Sequence, residues 1–151
     1  MKKFSHVNFF SVIFFFAVFM IGCKTDPQPI SYGSDACEFC KMTIVDNKFG
    51  GELITEKGKV YKFDSGECLI RFVKTQHIDI SKAQRLLVVD HLGSGRMIDA
   101  QASNFLHSEN LPSPMGGGLT AFEKKEDMEL FKKTYGGEYW SWEQAMQKIN
   151  P

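Results

Sequence analysis

The sequence predicts an α+β domain made of two similar ββαβ halves, and three observations carry that expectation. Short alternating segments flank a tight turn, 51–55 and 59–63 around Glu56-Lys57-Gly58. At Asp64-Ser65 the apolar period lengthens from two to that of a helix. The same strand-to-helix order returns 59 residues later, where Phe63, Asp64, Glu67, Leu69 and Phe72 fall on Phe122, Glu123, Glu126, Met128 and Phe131.

Taken in order, residues 42–45 (Met-Thr-Ile-Val) read as a strand ended by Asp46-Asn47. In the hairpin that follows, alternation puts Tyr61 and Phe63 on one face. Ser65 can cap a helix whose apolar stripe is Leu69, Ile70, Phe72 and Val73 and which runs to about His77. Residues 86–90 read as a buried strand turning at Gly93-Ser94-Gly95, and Asp99-Ala100 and 103–107 supply further strand candidates. In the second half, strand 119–123 feeds a helix from Lys124 to Tyr135 that Gly136-Gly137 stops. Ser141 then caps a last amphipathic helix carrying Trp142, Ala145, Met146 and Ile149. The halves are expected at about 35–95 and 96–151.

The N-terminus does not belong to this domain. Lys2 and Lys3 precede an apolar run from Phe9 to Ile21 broken only by Ser11. That run, of about 13 residues, is short of the roughly 20 that a spanning helix needs. A basic start, a short apolar stretch and a small residue make a secretory signal. Met20-Ile21-Gly22-Cys23 resembles a bacterial lipobox, with Met20 where Leu is commonest. The expectation is a lipoprotein signal peptide over 1–22, a diacylglycerol on Cys23, a tether over 23–34 and a folded domain over 35–151. The protein is then held in the cell envelope by its lipid, facing the periplasm.

With 151 residues, 43% hydrophobic, and a formal charge of zero, the chain is expected to fold as one globule, and nothing in it calls for nucleic acid. Loss of Lys2 and Lys3 with the signal leaves the mature chain only weakly acidic. Outside the cytoplasm thiols tend to oxidise. With Cys23 used by the lipid, Cys37, Cys40 and Cys68 remain. Three is odd, so at least one stays outside any internal disulfide and needs burial or a metal.

Chemistry concentrates in Cys37-Glu38-Phe39-Cys40-Lys41-Met42, two thiols and a thioether within six residues. Asp64-Ser65-Gly66-Glu67-Cys68 and Ser113-Pro114-Met115-Gly116-Gly117-Gly118 are the segments expected to close around it. Zinc would need four closed ligands, and beyond Cys68 only the scattered His77, His91 and His107 remain. A thioredoxin-like pair opens a helix in a βαβ unit, whereas this one precedes a strand. A plain Cys37–Cys40 disulfide is a third possibility. Soft thiolate and thioether donors select Cu(I), and on an extended strand Cys40 and Met42 would share a face. Met115, held by Pro114 and three glycines, is a second thioether, and His107 is a candidate nitrogen ligand. Cys68 falls in the first helical turn, where the dipole favours thiolate.

Cys40-Lys41-Met42 beside an N-terminal lipobox, Phe63-Asp64-Ser65, the segment from Pro114 to Phe122 and Tyr135-Gly136-Gly137-Glu138 together resemble the NosL family, accessory lipoproteins of nitrous oxide reductase maturation. The resemblance runs through almost all of the mature chain. It implies two ββαβ halves in a fold related to organomercurial lyases. It also implies a Cu(I) metallochaperone serving nitrous oxide reductase or a related cuproenzyme, with an ABC transporter complex among its partners. Onto this chain it carries Cys40 and Met42 first and Met115 next, while Cys37 or Cys68 would make the site richer in sulfur. Two departures stand out: Lys41 where relatives commonly have Gly, and Asp46-Asn47-Lys48-Phe49-Gly50 where many have a His-Pro-Gly segment. The competing expectation is an extracytoplasmic thiol-dependent reductase or lyase in which Asp64, beside Cys68, protonates a leaving carbanion. A third is an adaptor that only docks other membrane-bound parts.

Overall fold

The computed structural model describes residues 24–151; the expected signal peptide over 1–22 and the expected lipidation site Cys23 lie outside the described residues. The first half is β1 (Gly51–Ile54), β2 (Val60–Phe63), α1 (Gly66–Thr75), a 3-10 turn at Ile80–Lys82, β3 (Arg85–Val89) and β4 (Met97–Asp99). The second is β5 (Asn104–His107), β6 (Leu119–Phe122), α2 (Lys125–Tyr135), β7 (Glu138–Trp140) and α3 (Trp142–Lys148). All pairings are antiparallel, in sheet orders β2-β1-β3-β4 and β6-β5-β7. In each half the first strand sits between the second and third. The ββαβ unit is therefore used twice. β4 pairs with β3, so the first sheet reaches Asp99, beyond the expected boundary at 95.

The 59-residue offset holds through the helix starts, Gly66 and Lys125. Phe63 and Phe122, and Leu69 and Met128, are fully buried equivalents. Phe72 packs against Tyr61 and Phe63 with ring centres 4.9 and 5.1 Å away, as alternation along β2 requires. Leu69, Ile70, Phe72 and Val73 bury one face of α1, and each such burial stabilises by about 1.5–3 kcal/mol. The main core joins the two halves, since Phe105, Leu119 and Trp140 of the second sheet pack with it. Leu106, Phe122 and Met128 form a smaller core on that sheet's other face, together with Phe131 of α2.

Capping follows the sequence. Ser65 has extended φ and ψ and accepts from the Cys68 N–H, and Ser141 forms a capping box with Gln144. Gly136, at φ 70°, ends α2.

The expected strand over 42–45 is absent. Lys41 lies in the left-handed region at φ 64°, and the segment makes only an isolated bridge between Ala36 and Thr43. Residues 33–44 instead form a loop folded on itself, with Gly33 N–H to Ile44 O and Cys37 N–H to Met42 O, both at 2.8 Å.

The stretch read as a tether makes contacts from Thr25 onward. Its backbone crosses the sheet face opposite α1: Gln28 N–H donates to both carboxylate oxygens of the fully buried Glu52 at 3.1 Å, and Lys62 Nζ donates to Pro29 O at 2.8 Å. Burial raises the Glu52 pKa; the Gln28 N–H and the Lys62 charge oppose this. Lys62 stands opposite Glu52 in register and also pairs with Asp35 at 2.7 Å.

Candidate metal centre

Three local devices bring the thiols together. The left-handed turn at Lys41 closes the loop tip, with Lys41 N–H bonded to Cys37 O at 2.9 Å. Glu38 N–H, bonded to Lys62 O at 2.8 Å, seats that tip on the free edge of β2. The Ser65 cap starts α1 so that Cys68 occupies its first turn. As a result the Sγ atoms of Cys37, Cys40 and Cys68 lie within 4.8 Å of one another, the one group of three or more His, Cys, Asp or Glu ligand atoms that meets this spacing among the described residues. All three are free thiols; Cys37 and Cys68 are fully buried and Cys40 is half-buried.

The thiols differ in acidity. A hydrogen bond from the Cys68 thiol and the backbone N–H groups of Asp64 and Cys40 bring the Cys37 pKa down to about 5, against the effect of burial. Cys68 is pushed well up, because it donates to Cys37 and is itself buried. Burial chiefly raises Cys40, while the Met42 N–H partly opposes it. The helix-dipole expectation for Cys68 is thus corrected: the thiolate resides on Cys37. Asp64, buried with Oδ1 unpaired, is pushed up to about 6 by burial and then by the Cys37 charge.

Neither His91 nor His107 joins this group. Met42 is 56% exposed on the same loop, and with Lys41 turned left-handed it does not share a strand face with Cys40. Met115 is half-buried against the main core, in a turn closed by Gly116 N–H to Ser113 O at 2.8 Å. His107 stacks on Trp140 at 4.0 Å in the second sheet. His91 is buried among Phe49, Phe122 and Phe131.

The two segments expected to close on the site do meet, through Glu67. This buried carboxylate accepts a short hydrogen bond from Ser113 Oγ and another from Leu119 N–H at 3.0 Å, while Gly118 N–H donates to Ser113 Oγ at 3.1 Å. A Cβ on Gly117 would come within 2.7 Å of Glu67 Oε1, so glycine is what permits the approach. Glu67 was legible only as an acid in a first helical turn; nothing in the sequence marked it as the brace of the Met115 loop.

Chemically, the group offers one ready thiolate and two protonated thiols, one of them reachable from solvent. A bound thiophilic ion would complete its coordination by displacing protons from Cys40 and Cys68. Thiolate–metal bonds of about 2.3 Å would put three sulfurs about 4 Å apart, which a group whose Sγ atoms all lie within 4.8 Å accommodates.

The NosL family profile matches residues 29–149. Among solved structures, the crystal structure of the copper chaperone NosL from Shewanella denitrificans is similar, with a TM-score of 0.68 and 25% identity over 80% of this chain and 95% of that one. No curated protein matches. A profile match across most of the chain and the repeated ββαβ architecture agree: the chain belongs to the NosL family.

Proposed function

We propose that this chain is a Cu(I) metallochaperone, anchored to the envelope membrane through Cys23 and delivering copper to nitrous oxide reductase or a related cuproenzyme. The observation that carries the metal reading is the packing of three sulfurs within 4.8 Å, with a thiolate already favoured on Cys37. Soft donors prefer Cu(I) to the oxygen-seeking cations. The similar crystal structure is that of a copper chaperone, which carries metal and is not an enzyme. Half-buried Cys40 is where an incoming ligand would first reach the metal. Exposed Met42 and half-buried Met115 offer thioethers at the edge of the transfer path. Handover then proceeds by ligand exchange, one sulfur of the recipient replacing one sulfur here. Among the described residues, no helix is long and apolar enough to cross a membrane.

A reduced form starting after Cys23 should bind about one Cu(I), in preference to Zn(II), in anaerobic chelator competition. Cys37→Ser, Cys40→Ser and Cys68→Ser should each weaken binding more than Met42→Leu or Met115→Leu, because a thiolate brings charge and a thioether does not. Zinc held as tightly as copper, or three silent cysteine variants, would remove the carrier reading. Delivery is tested by the copper content of nitrous oxide reductase in cells that lack the chain. An unchanged content excludes that recipient.

A further inference from the structure

The N-terminal segment is fastened at the end of the first sheet that lies away from the thiols. Thr25 N–H donates to Gln84 Oε1 at 2.8 Å, and Gln84 Nε2 donates to Glu56 O at 3.0 Å. A Cβ on Gly58 would stand 2.4 Å from Thr25 Oγ1, so Thr25 lies directly against the β1–β2 turn. Only Lys24 separates this fixed residue from Cys23. At 3.8 Å per residue, the lipid-bearing Cα is then within about 8 Å of the Thr25 Cα. Such an anchor has almost no slack.

That end also carries the right side chains. Lys24, Lys57, Lys59, Lys82 and Arg85 are exposed there, against Asp26, Glu56 and Asp79, with Lys82 and Asp79 paired at 3.5 Å. Lys57, Lys59 and Lys82, with Tyr61, Ile78 and Ala83, line a groove of about 380 Å³. Lysine stems over apolar and aromatic side chains suit the boundary between headgroups and water. The thiols lie toward the other end of β2 and α1, although the loop tip beside Cys40 reaches back along the edge of β2 as far as Tyr61. β2 runs away from this turn toward Asp64, and α1 runs back from Cys68 to Thr75 over about 12 Å.

We propose that the β1–β2 turn and the 3-10 segment form a membrane-contact face, on which the domain rests against anionic phospholipid headgroups with its copper site turned outward. The proposal rests on the lipid anchor at Cys23. The acyl chains supply the attachment and the lysines set the orientation, an attraction that weakens as salt rises.

The test uses the full lipidated protein in vesicles of phosphatidylcholine with phosphatidylglycerol, and in detergent. Lysines are acylated with a membrane-impermeant reagent and mapped by mass spectrometry. Lys57, Lys59 and Lys82 should react severalfold more slowly on vesicles, Lys132 and Lys133 of α2 at an unchanged rate, and Cys40 should stay open to an impermeant maleimide. Combined Lys57→Glu, Lys59→Glu and Lys82→Glu should keep the copper stoichiometry but restore fast acylation of Lys24. A diacylated Cys23 with unprotected lysines, or protection that falls on Cys40 instead, overturns the proposal alone. An unmodified Cys23 peptide overturns the anchor reading and the proposal with it, and neither result touches copper binding.

Discussion

The sulfurs of Cys37 and Cys68, both fully buried, lie within 4.8 Å of each other, and the Cys68 thiol is the largest influence bringing the Cys37 pKa down to about 5. Each thiol alone, buried as it is, would favour the protonated form. Together they store one negative charge at the inner end of the site and leave Cys40 as a neutral thiol at its mouth.

Removing the donor should therefore release the charge. In Cys68→Ala, Cys37 loses a hydrogen bond of the kind made to charged groups, worth about 1.5–3 kcal/mol, or about one to two pKa units. Thiolate absorbance followed against pH should show the titration of Cys37 moving up by that amount. Cys68→Ser, whose hydroxyl still donates, should move it less. If Cys68→Ala leaves the low titration in place, the Asp64 and Cys40 amides hold the thiolate without help.

Copper affinity should rise with pH. Cys40 and Cys68 have raised pKa values, so both are protonated near neutrality and must lose protons to bind metal as thiolates. Cys37, near 5, has already done so. Between pH 6.5 and 8, roughly, the logarithm of the Cu(I) association constant should climb by up to about two per pH unit, one for each displaced proton. Competition with a chelator of known proton dependence measures the slope. A flat profile would mean that Cu(I) is held by Cys37 and neutral donors alone.

Much of this arrangement was legible in the sequence where side-chain pattern decides structure. Tyr61 and Phe63 alternate against Phe72, Ser65 and Ser141 cap helices, and Phe63 and Phe122 occupy equivalent buried places because both halves repeat one unit. The loop that stands where a strand over 42–45 was expected was not legible, since alternation there is overridden by a single backbone conformation at Lys41. Nothing in the sequence marks Glu52 or Glu67 as buried; their burial depends on the Gln28 amide and on Ser113 and Leu119, partners 24, 46 and 52 residues away. Cys68 was placed in the right turn of the right helix, but its protonation is set by a sulfur from a different loop.

Lys41 carries a cost that its neighbours in the loop impose. At φ 64° a side chain crowds the backbone, which disfavours this conformation by roughly 1–2 kcal/mol for residues other than glycine. Its ion pair with Glu38, 3.1 Å long between exposed side chains, offsets little of that. Lys41→Gly should raise the stability of the reduced, metal-free protein by about 0.5–1 kcal/mol, less than the full cost because glycine is also freer when unfolded. Urea unfolding with an unchanged slope gives the value. A loss of stability would show that the Lys41 side chain contributes more than its backbone costs.

The brace at Glu67 offers the sharpest separation of folding from metal binding. In Glu67→Ala the Ser113 hydroxyl and the Leu119 N–H lose their shared acceptor inside the protein, and each buried unpaired group costs about 1–3 kcal/mol. Stability should fall by about 2–4 kcal/mol, read from the urea midpoint. Glu67→Gln keeps an acceptor oxygen of the same reach and should lose about half as much. Because the carboxylate fastens the loop that carries Met115, the cost of Met115→Leu in copper affinity should shrink once Glu67 is alanine, a coupling that a double-mutant cycle isolates. Additive losses would mean that the Met115 loop keeps its place without Glu67, and that the carboxylate serves stability alone.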